Sequence, residues 1–248
     1  MKKIVITTSW DDGNKSDLKI AKLLDKYNLK GTFYIPKKSE FTSLGEKEIK
    51  EISKNHEIGA HTLNHIDLTK IDLRKAKQEI SDSKRYLEEI LGKQIKMFCY
   101  PMGGYNQKVK EIVMKSGFLG ARTVKEFSFE KPDDFFEMGT MLHIYPFPFR
   151  KRDKNHYHLT RFLFQPLQRK FFEILKLGLP INSFISWSNL AKNLFDNILR
   201  NGGIYHLWGH SWEIEKYGMW QDLEKIFKYI RKYENVPGLT NSEVLEKI

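Results

Sequence analysis

The stretch Lys3-Ile-Val-Ile-Thr-Thr-Ser-Trp-Asp-Asp-Gly13 decides how this chain is read. Ile4, Val5 and Ile6 are continuous, apolar and β-branched, which predicts a buried strand over Lys3 to Thr8. Asp11 and Asp12 follow shortly after, and Gly13 permits a tight turn there. Paired carboxylates beyond a buried strand form either a polar turn or part of an active site. In parallel α/β folds, active sites gather at the carboxyl ends of the strands.

Working outward, strand and helix patterns alternate. Asp17 to Tyr27 reads as a helix with Leu18, Ala21 and Leu24 on its apolar face and Ser16 as its cap. Gly31 to Ile35 is a strand stopped by Pro36, Glu46 to Asn55 a helix, and Glu57 to Ala60 a short strand. Asp72 to Leu91 carries a long amphipathic helix ended by Gly92. Met97 to Tyr100 is extended, Val109 to Ser116 helical and Phe118 to Ala121 extended. This alternation predicts a parallel α/β architecture.

The rhythm breaks over Phe127 to Phe149, where aromatics and Pro132, Pro146 and Pro148 predict an irregular connection. Leu159 to Leu177 reads as a helix kinked or interrupted at Pro166. Asn189 to Arg200 is helical, Ile204 to Trp208 a late strand, and Trp220 to Tyr233 a last helix. No linker divides the chain. The expectation is one catalytic domain over residues 1–248, with an aromatic and basic insertion at about 127–180.

Composition narrows the function classes. A chain of 248 residues can bury one sizeable core, and 40% hydrophobic against 29% charged residues excludes a disordered chain. Cys99 is the only cysteine, so an intramolecular disulfide framework and a cysteine-rich zinc site are both excluded. The apolar run near Met1 is far shorter than a signal-peptide core, which predicts a cytoplasmic protein, and no stretch reaches the length of a membrane span. Lys and Arg number 42 against 31 acids, a formal charge of +11. The lysines are scattered along helices, which describes a solvated surface. No nucleic-acid-binding signature accompanies them, so no specific nucleic-acid partner is expected.

His61-Thr-Leu-Asn-His65 and Gly202-Gly-Ile-Tyr-His-Leu-Trp-Gly-His210 add the chemistry. Imidazoles four positions apart share one face if the segment forms a helical turn. Neutral imidazole suits zinc and related transition metals, and Asp12 would complete a two-histidine, one-carboxylate set with open positions for water. Alone, the histidine pair reads equally well as capping or surface residues. Asp11 is then the candidate general base. His210 is the candidate general acid or oxyanion stabiliser. If Ile204 to His210 stays extended, His206, Trp208 and His210 share a face, and His206 is a substitute or supporting residue.

These segments resemble the polysaccharide deacetylase family, the NodB-like carbohydrate esterases of family 4. Thr8-Ser-Trp-Asp-Asp-Gly13 is similar to the family's first motif, which implies Asp11 as catalytic base and Asp12 as metal ligand. His61-Thr-Leu-Asn-His65 is similar to its His-Ser/Thr-x-x-His segment, and the Ile204-to-His210 strand to its last motif. Phe98-Cys-Tyr-Pro-Met-Gly103 resembles the third motif, but Cys99 stands where an arginine commonly orients the catalytic aspartate. Arg122, after a later strand, is a candidate replacement for that charge. Tyr100 is either an acyl-group contact or a packed strand tyrosine.

The resemblance covers most of residues 1–125 and 185–232. It implies a distorted, incomplete (β/α) barrel of seven strands. It also implies a divalent metal (zinc, with cobalt, nickel or manganese as alternatives) and hydrolysis of N-acetyl groups on a saccharide or glycan precursor. A small-molecule amidohydrolase of the allantoinase-like type and an inactive glycan-binding scaffold are the alternatives. Tyr145, Phe147, Phe149, Arg150, Lys151 and Arg152 in the middle segment suit loop packing, sugar stacking or peripheral contact with a membrane surface. His143, His156 and His158 are further ligand candidates.

Overall fold

The first strand, β1 (Ile4–Asp11), is buried at every residue after Ile4. It runs three residues past the stretch that apolar character predicts, because Ser9, Trp10 and Asp11 keep ladder partners on both sides. The computed structural model describes residues 3–149 and 159–247, with side chains of the second group from Phe164 onward. Arg150, Lys151, Arg152, His156 and His158 lie outside the described residues.

From β1 the chain steps in one direction through α1 (Asp17–Lys26), β2 (Gly31–Ile35), α2 (Glu46–Ile52) and β3 (Glu57–Ala60). It continues through α3 (Leu73–Leu91), β4 (Met97–Cys99), α4 (Gln107–Lys115) and β5 (Gly120–Arg122). It then crosses to the other side of β1 with β6 (Leu142–His143), α5 (Leu159–Lys176), α6 (Trp187–Asn201) and β7 (Gly203–His210). Three helices close the chain: α7 (Ser211–Tyr217), α8 (Trp220–Ile230) and α9 (Asn241–Lys247). The strand order is β5-β4-β3-β2-β1-β7-β6, all pairs are parallel, and the sheet curls into a half-barrel. This is the architecture that the alternating pattern and the family resemblance imply.

Most predicted elements recur with shifted ends. The long helix α3 starts at its cap Asp72, whose carboxylate accepts from Lys75 N at 2.9 Å, and stops at the left-handed Gly92. The expected Ser16 cap is not made. Ser16 already has helical backbone angles, and its own N–H is taken by the Asn14 side chain at 3.1 Å. Helix α5 runs through Pro166 without interruption. The segment expected to be irregular holds one short turn, Phe135–Glu137, and the two-residue strand β6. No helix among the described residues is long and apolar enough to cross a membrane.

Register is what matters for the site. The β1–β7 ladder pairs Ile4 with Gly203 and ends by pairing Asp11 with His210. The β4–β5 ladder ends by pairing Cys99 with Arg122. Chemistry-bearing residues far apart in sequence therefore reach the same end of the half-barrel.

At the opposite end, β2 begins only opposite Thr8, so the lower part of β1 lacks it as a neighbour. The segment Pro237–Leu239 fills that gap, with Ile6 N donating to Pro237 O at 3.0 Å and Leu239 N to Ile6 O at 2.8 Å. Asn241, fully buried at the start of α9, then takes the Tyr34 hydroxyl at 2.8 Å and donates to Thr7 Oγ1 at 2.9 Å. Asn241→Ala strips partners from two buried hydroxyls and is expected to cost about 2–3 kcal/mol. Urea unfolding of the variant checks this, and an unchanged midpoint would show that the plug contributes nothing.

Candidate active site

Asp11 and Asp12 point to different partners because the backbone turns between them. Asp12 has φ 80 and Gly13 φ 63, so two left-handed residues follow the extended Asp11. A Cβ at Gly13 would lie 2.8 Å from the Ile35 side chain, so the turn requires glycine there. Thr42 pins the turn by donating to the Asp12 carbonyl at 2.9 Å.

Asp11 faces the barrel interior, where the Arg122 guanidinium donates to both of its carboxylate oxygens. Arg122 is fully buried between two rings, 4.7 Å from the centre of Trp208 and 5.2 Å from that of Tyr34. Tyr34 can occupy that space because Gly59 has no side chain; a Cβ there would sit 2.5 Å from the tyrosine ring. Cys99 stands beside the pair, its Sγ 3.8 Å from Asp11 Oδ2, and burial pushes its thiol well up. Burial alone would raise Asp11. Arg122, then His61 and His210, outweigh it and hold the carboxyl at about 2.

Asp12 turns the other way. Its Oδ2 accepts from Trp212 Nε1 at 2.9 Å, while Oδ1 is buried without a hydrogen-bond partner. That orphaned oxygen faces His65 Nε2 at 3.3 Å and His61 Nε2 at 3.9 Å. His61 Nδ1 donates to the Cys99 carbonyl at 2.8 Å, which fixes the tautomer and leaves Nε2 unprotonated in the neutral ring, free to act as a ligand. Burial holds His61 below the usual imidazole range.

The helical turn expected for His61 to His65 is absent: Thr62 and His65 have φ 60 and φ 50, and the segment is a loop. Its shape comes from Glu79, a buried acid of α3 that accepts from Leu63 N at 3.1 Å, Asn64 N at 2.9 Å and Asn64 Nδ2 at 2.7 Å. The two rings still converge, with centroids 4.8 Å apart.

Among the described residues, three side-chain groups have ligand atoms close enough to share an ion: Asp11–His61–Cys99, Asp12–His61–His65 and His143–His210–Glu213. In the first, Arg122 already neutralises Asp11 and the thiol stays protonated. In the third, Glu213 is bound to His210 Nδ1 at 2.6 Å and lies 3.3 Å from His143 Nε2. The second has an unsatisfied carboxylate oxygen and a correctly set imidazole, and fits a divalent metal.

His210 sits across from this group, its Nε2 3.8 Å from Asp12 Oδ2. Burial would lower its pKa, but Glu213, with Asp12 and Asp11 adding less, lifts it to about 9. Trp208 and His143 stack beside it at 4.0 Å. His206, on the same strand face, is enclosed elsewhere: it pairs with Ser9 Oγ at 2.9 Å and the Gly139 carbonyl at 3.2 Å. The Tyr100 hydroxyl is committed to the Phe136 carbonyl at 3.1 Å and its ring stacks on Tyr105.

Three residues of the site lay outside the sequence reading. Glu213 and Trp212 follow His210 in His-Ser-Trp-Glu, an acid three positions after a histidine at a strand end. Glu79 falls on the buried stripe of α3 next to Ile80, and an acid on an apolar face is a signal of its own.

With this geometry in place, likeness to known proteins can be weighed. The family profile described as polysaccharide deacetylase matches residues 1–121. Residues 1–121 are thus similar to the polysaccharide deacetylase family. YxkH of Bacillus subtilis (strain 168) is 29% identical over 126 residues, 49% of this chain and 45% of its own length. This chain spans less than half the length of the curated relatives it matches. A Mycobacterium smegmatis structure named for the same family superposes with a TM-score of 0.70 at 16% identity, over 99% of this chain and 90% of the other. The Streptococcus pyogenes deacetylase PplD, solved with acetate, gives 0.51 at 23% identity, over 54% of this chain and 62% of the other. The family match stops one residue before Arg122, so the partner of Asp11 and the His210 strand lie beyond it.

Two outcomes follow from the buried charges. Arg122→Leu leaves the Asp11 carboxylate unpaired in the core, and its urea midpoint should report a loss of about 3–5 kcal/mol, partly restored when Asp11→Asn is added. No recovery in the double variant would mean the pair is not the source of the loss. His206 is held down at about 3, by burial first and then by Arg122. A depressed folded pKa means its contribution is complete above about 6.5 and is lost as pH falls toward 3. Acidification from about pH 6.5 to 5 should therefore remove about 2 kcal/mol that His206→Asn does not lose. Parallel melting curves for the two proteins would refute this.

Proposed function

We propose that this chain is a metal-dependent deacetylase that hydrolyses an N-acetyl group on an amino sugar or glycan conjugate. The observation that carries the reading is the division of labour between adjacent carboxylates. Asp12 presents an unpartnered oxygen to two imidazoles, while Asp11 is ion-paired to a buried arginine.

Asp12, His61 and His65 would hold the metal. A bound divalent ion supplies Lewis-acid polarisation of the acyl carbonyl and eases deprotonation of water. Asp11, kept ionised by Arg122, accepts a proton from the attacking water as the new C–O bond forms. His210, kept protonated by Glu213, donates a proton to the amine nitrogen as the C–N bond breaks. The products are acetate, a free amine and one proton released to solvent, and the proton held on Asp11 returns to His210 through solvent. His210 also places a positive charge where negative charge develops on the acyl oxygen. Trp212 orients the metal-facing carboxylate through its indole N–H and is itself braced on Phe41 at 4.2 Å. The similarity of residues 1–121 to the deacetylase family supports the reaction class, and an amino-sugar substrate is the extension drawn from it.

Asp12→Ala and His65→Ala should lose both bound metal, by elemental analysis, and acetate release from a panel of N-acetylhexosamine oligomers. Asp11→Asn should keep the metal and lose about 10²–10⁴-fold in turnover. Unchanged metal content in both ligand variants would sink the ligand assignment. Ammonia release from small amides, without acetate from any sugar, would sink the substrate class.

A further inference from the structure

Helix α5 carries apolar residues on two sides. Its inward side packs Leu167 and Ile174, with Leu177 just past its end, against the core together with Lys170, whose ammonium binds both oxygens of Glu126. Its outward side exposes Phe164, Phe171, Phe172 and Leu175, spaced as one stripe along the helix. Phe172 is 77% exposed and Leu175 54%. The stripe continues onto the next turn, because the Phe171 ring lies 5.6 Å from that of Phe184. On that turn Ile181 is 83% exposed and Ile185 66%. An apolar surface of this extent on a chain otherwise rich in exposed lysine marks an interaction site rather than scatter.

Charge selects the occupant. Arg169 and Lys176 are exposed beside the stripe, while Glu173, the only acid between Phe164 and Ile185, is half-buried. The chain as a whole carries +11. A second copy would bring a like-charged face against this one, whereas an anionic lipid surface satisfies both the apolar stripe and the flanking cations. We propose that α5 and the turn at Ile181–Phe184 seat the chain on an anionic bilayer. The seat is joined to the candidate site: Gln165, Arg169 and Lys170 line a cleft of about 140 Å³ whose other walls include His143 and Glu213. Seating does not depend on the deacetylase reading, since it is measured without substrate.

The full chain should co-sediment with phosphatidylcholine vesicles that contain phosphatidylglycerol, and much less with phosphatidylcholine alone. The variant Phe172→Ser/Ile181→Ser/Ile185→Ser, whose changes lie on the surface, should keep the parental melting temperature and bind at least about tenfold more weakly. No binding of the parent at low salt overturns the proposal. Equal binding by parent and variant also overturns it, because general attraction of a basic chain would then suffice. Self-association that the substitutions abolish, without vesicle binding, assigns the surface to a second copy and overturns it as well.

Discussion

The buried ion pair between Asp11 and Arg122 is the constraint around which this molecule is arranged. Both groups are taken out of water at the centre of the half-barrel, and for each the largest single influence is the cost of that burial. Such a pair is tolerable only when geometry and packing are nearly complete. The structure meets the condition with two donated hydrogen bonds, two flanking rings and a glycine that leaves room for one of them. The register of β5 against β4, of β1 against β7 and of β2 against β3 all converge on the same few ångströms.

This explains why the fold was readable from sequence while part of the site was not. Continuous β-branched runs such as Ile4-Val-Ile6, and the stripe Ala76, Ile80 and Leu87 on α3, are local patterns whose burial follows from composition and period. Arg122 could be named as a candidate partner of Asp11 only through the family resemblance, because no local pattern links them. Arg122 and Asp11 are separated by 111 positions, and only the curl of the sheet brings them together. The paired carboxylates and the His61–His65 spacing could be recognised as ligand types, but the spacing suggested a helical turn that the chain does not make. Glu79 imposes the loop from another element, and period arguments do not register a side chain that bonds to someone else's backbone.

The middle of the chain shows a different limit. Its prolines announced irregularity, and β6 is indeed only two residues long. Yet it delivers His143 onto Trp208 and beside Glu213, so a segment with little regular structure still contributes a wall next to His210. For α5 the helix itself was readable, but not that its buried side would hold Lys170 while phenylalanines face outward. A lysine goes inside only because Glu126 is waiting for it, and that acid lies 44 residues away.

The left-handed step from Asp11 to Gly13 has a mechanical consequence. Because one peptide unit separates a carboxylate locked to the core from one aimed at the two imidazoles, the two halves of the site share an axle. A small rotation about Asp12 cannot move one carboxylate without swinging the other, so looseness anywhere in the core, at Tyr34 or Gly59 as much as at Arg122, is geared directly into the aim of Asp12.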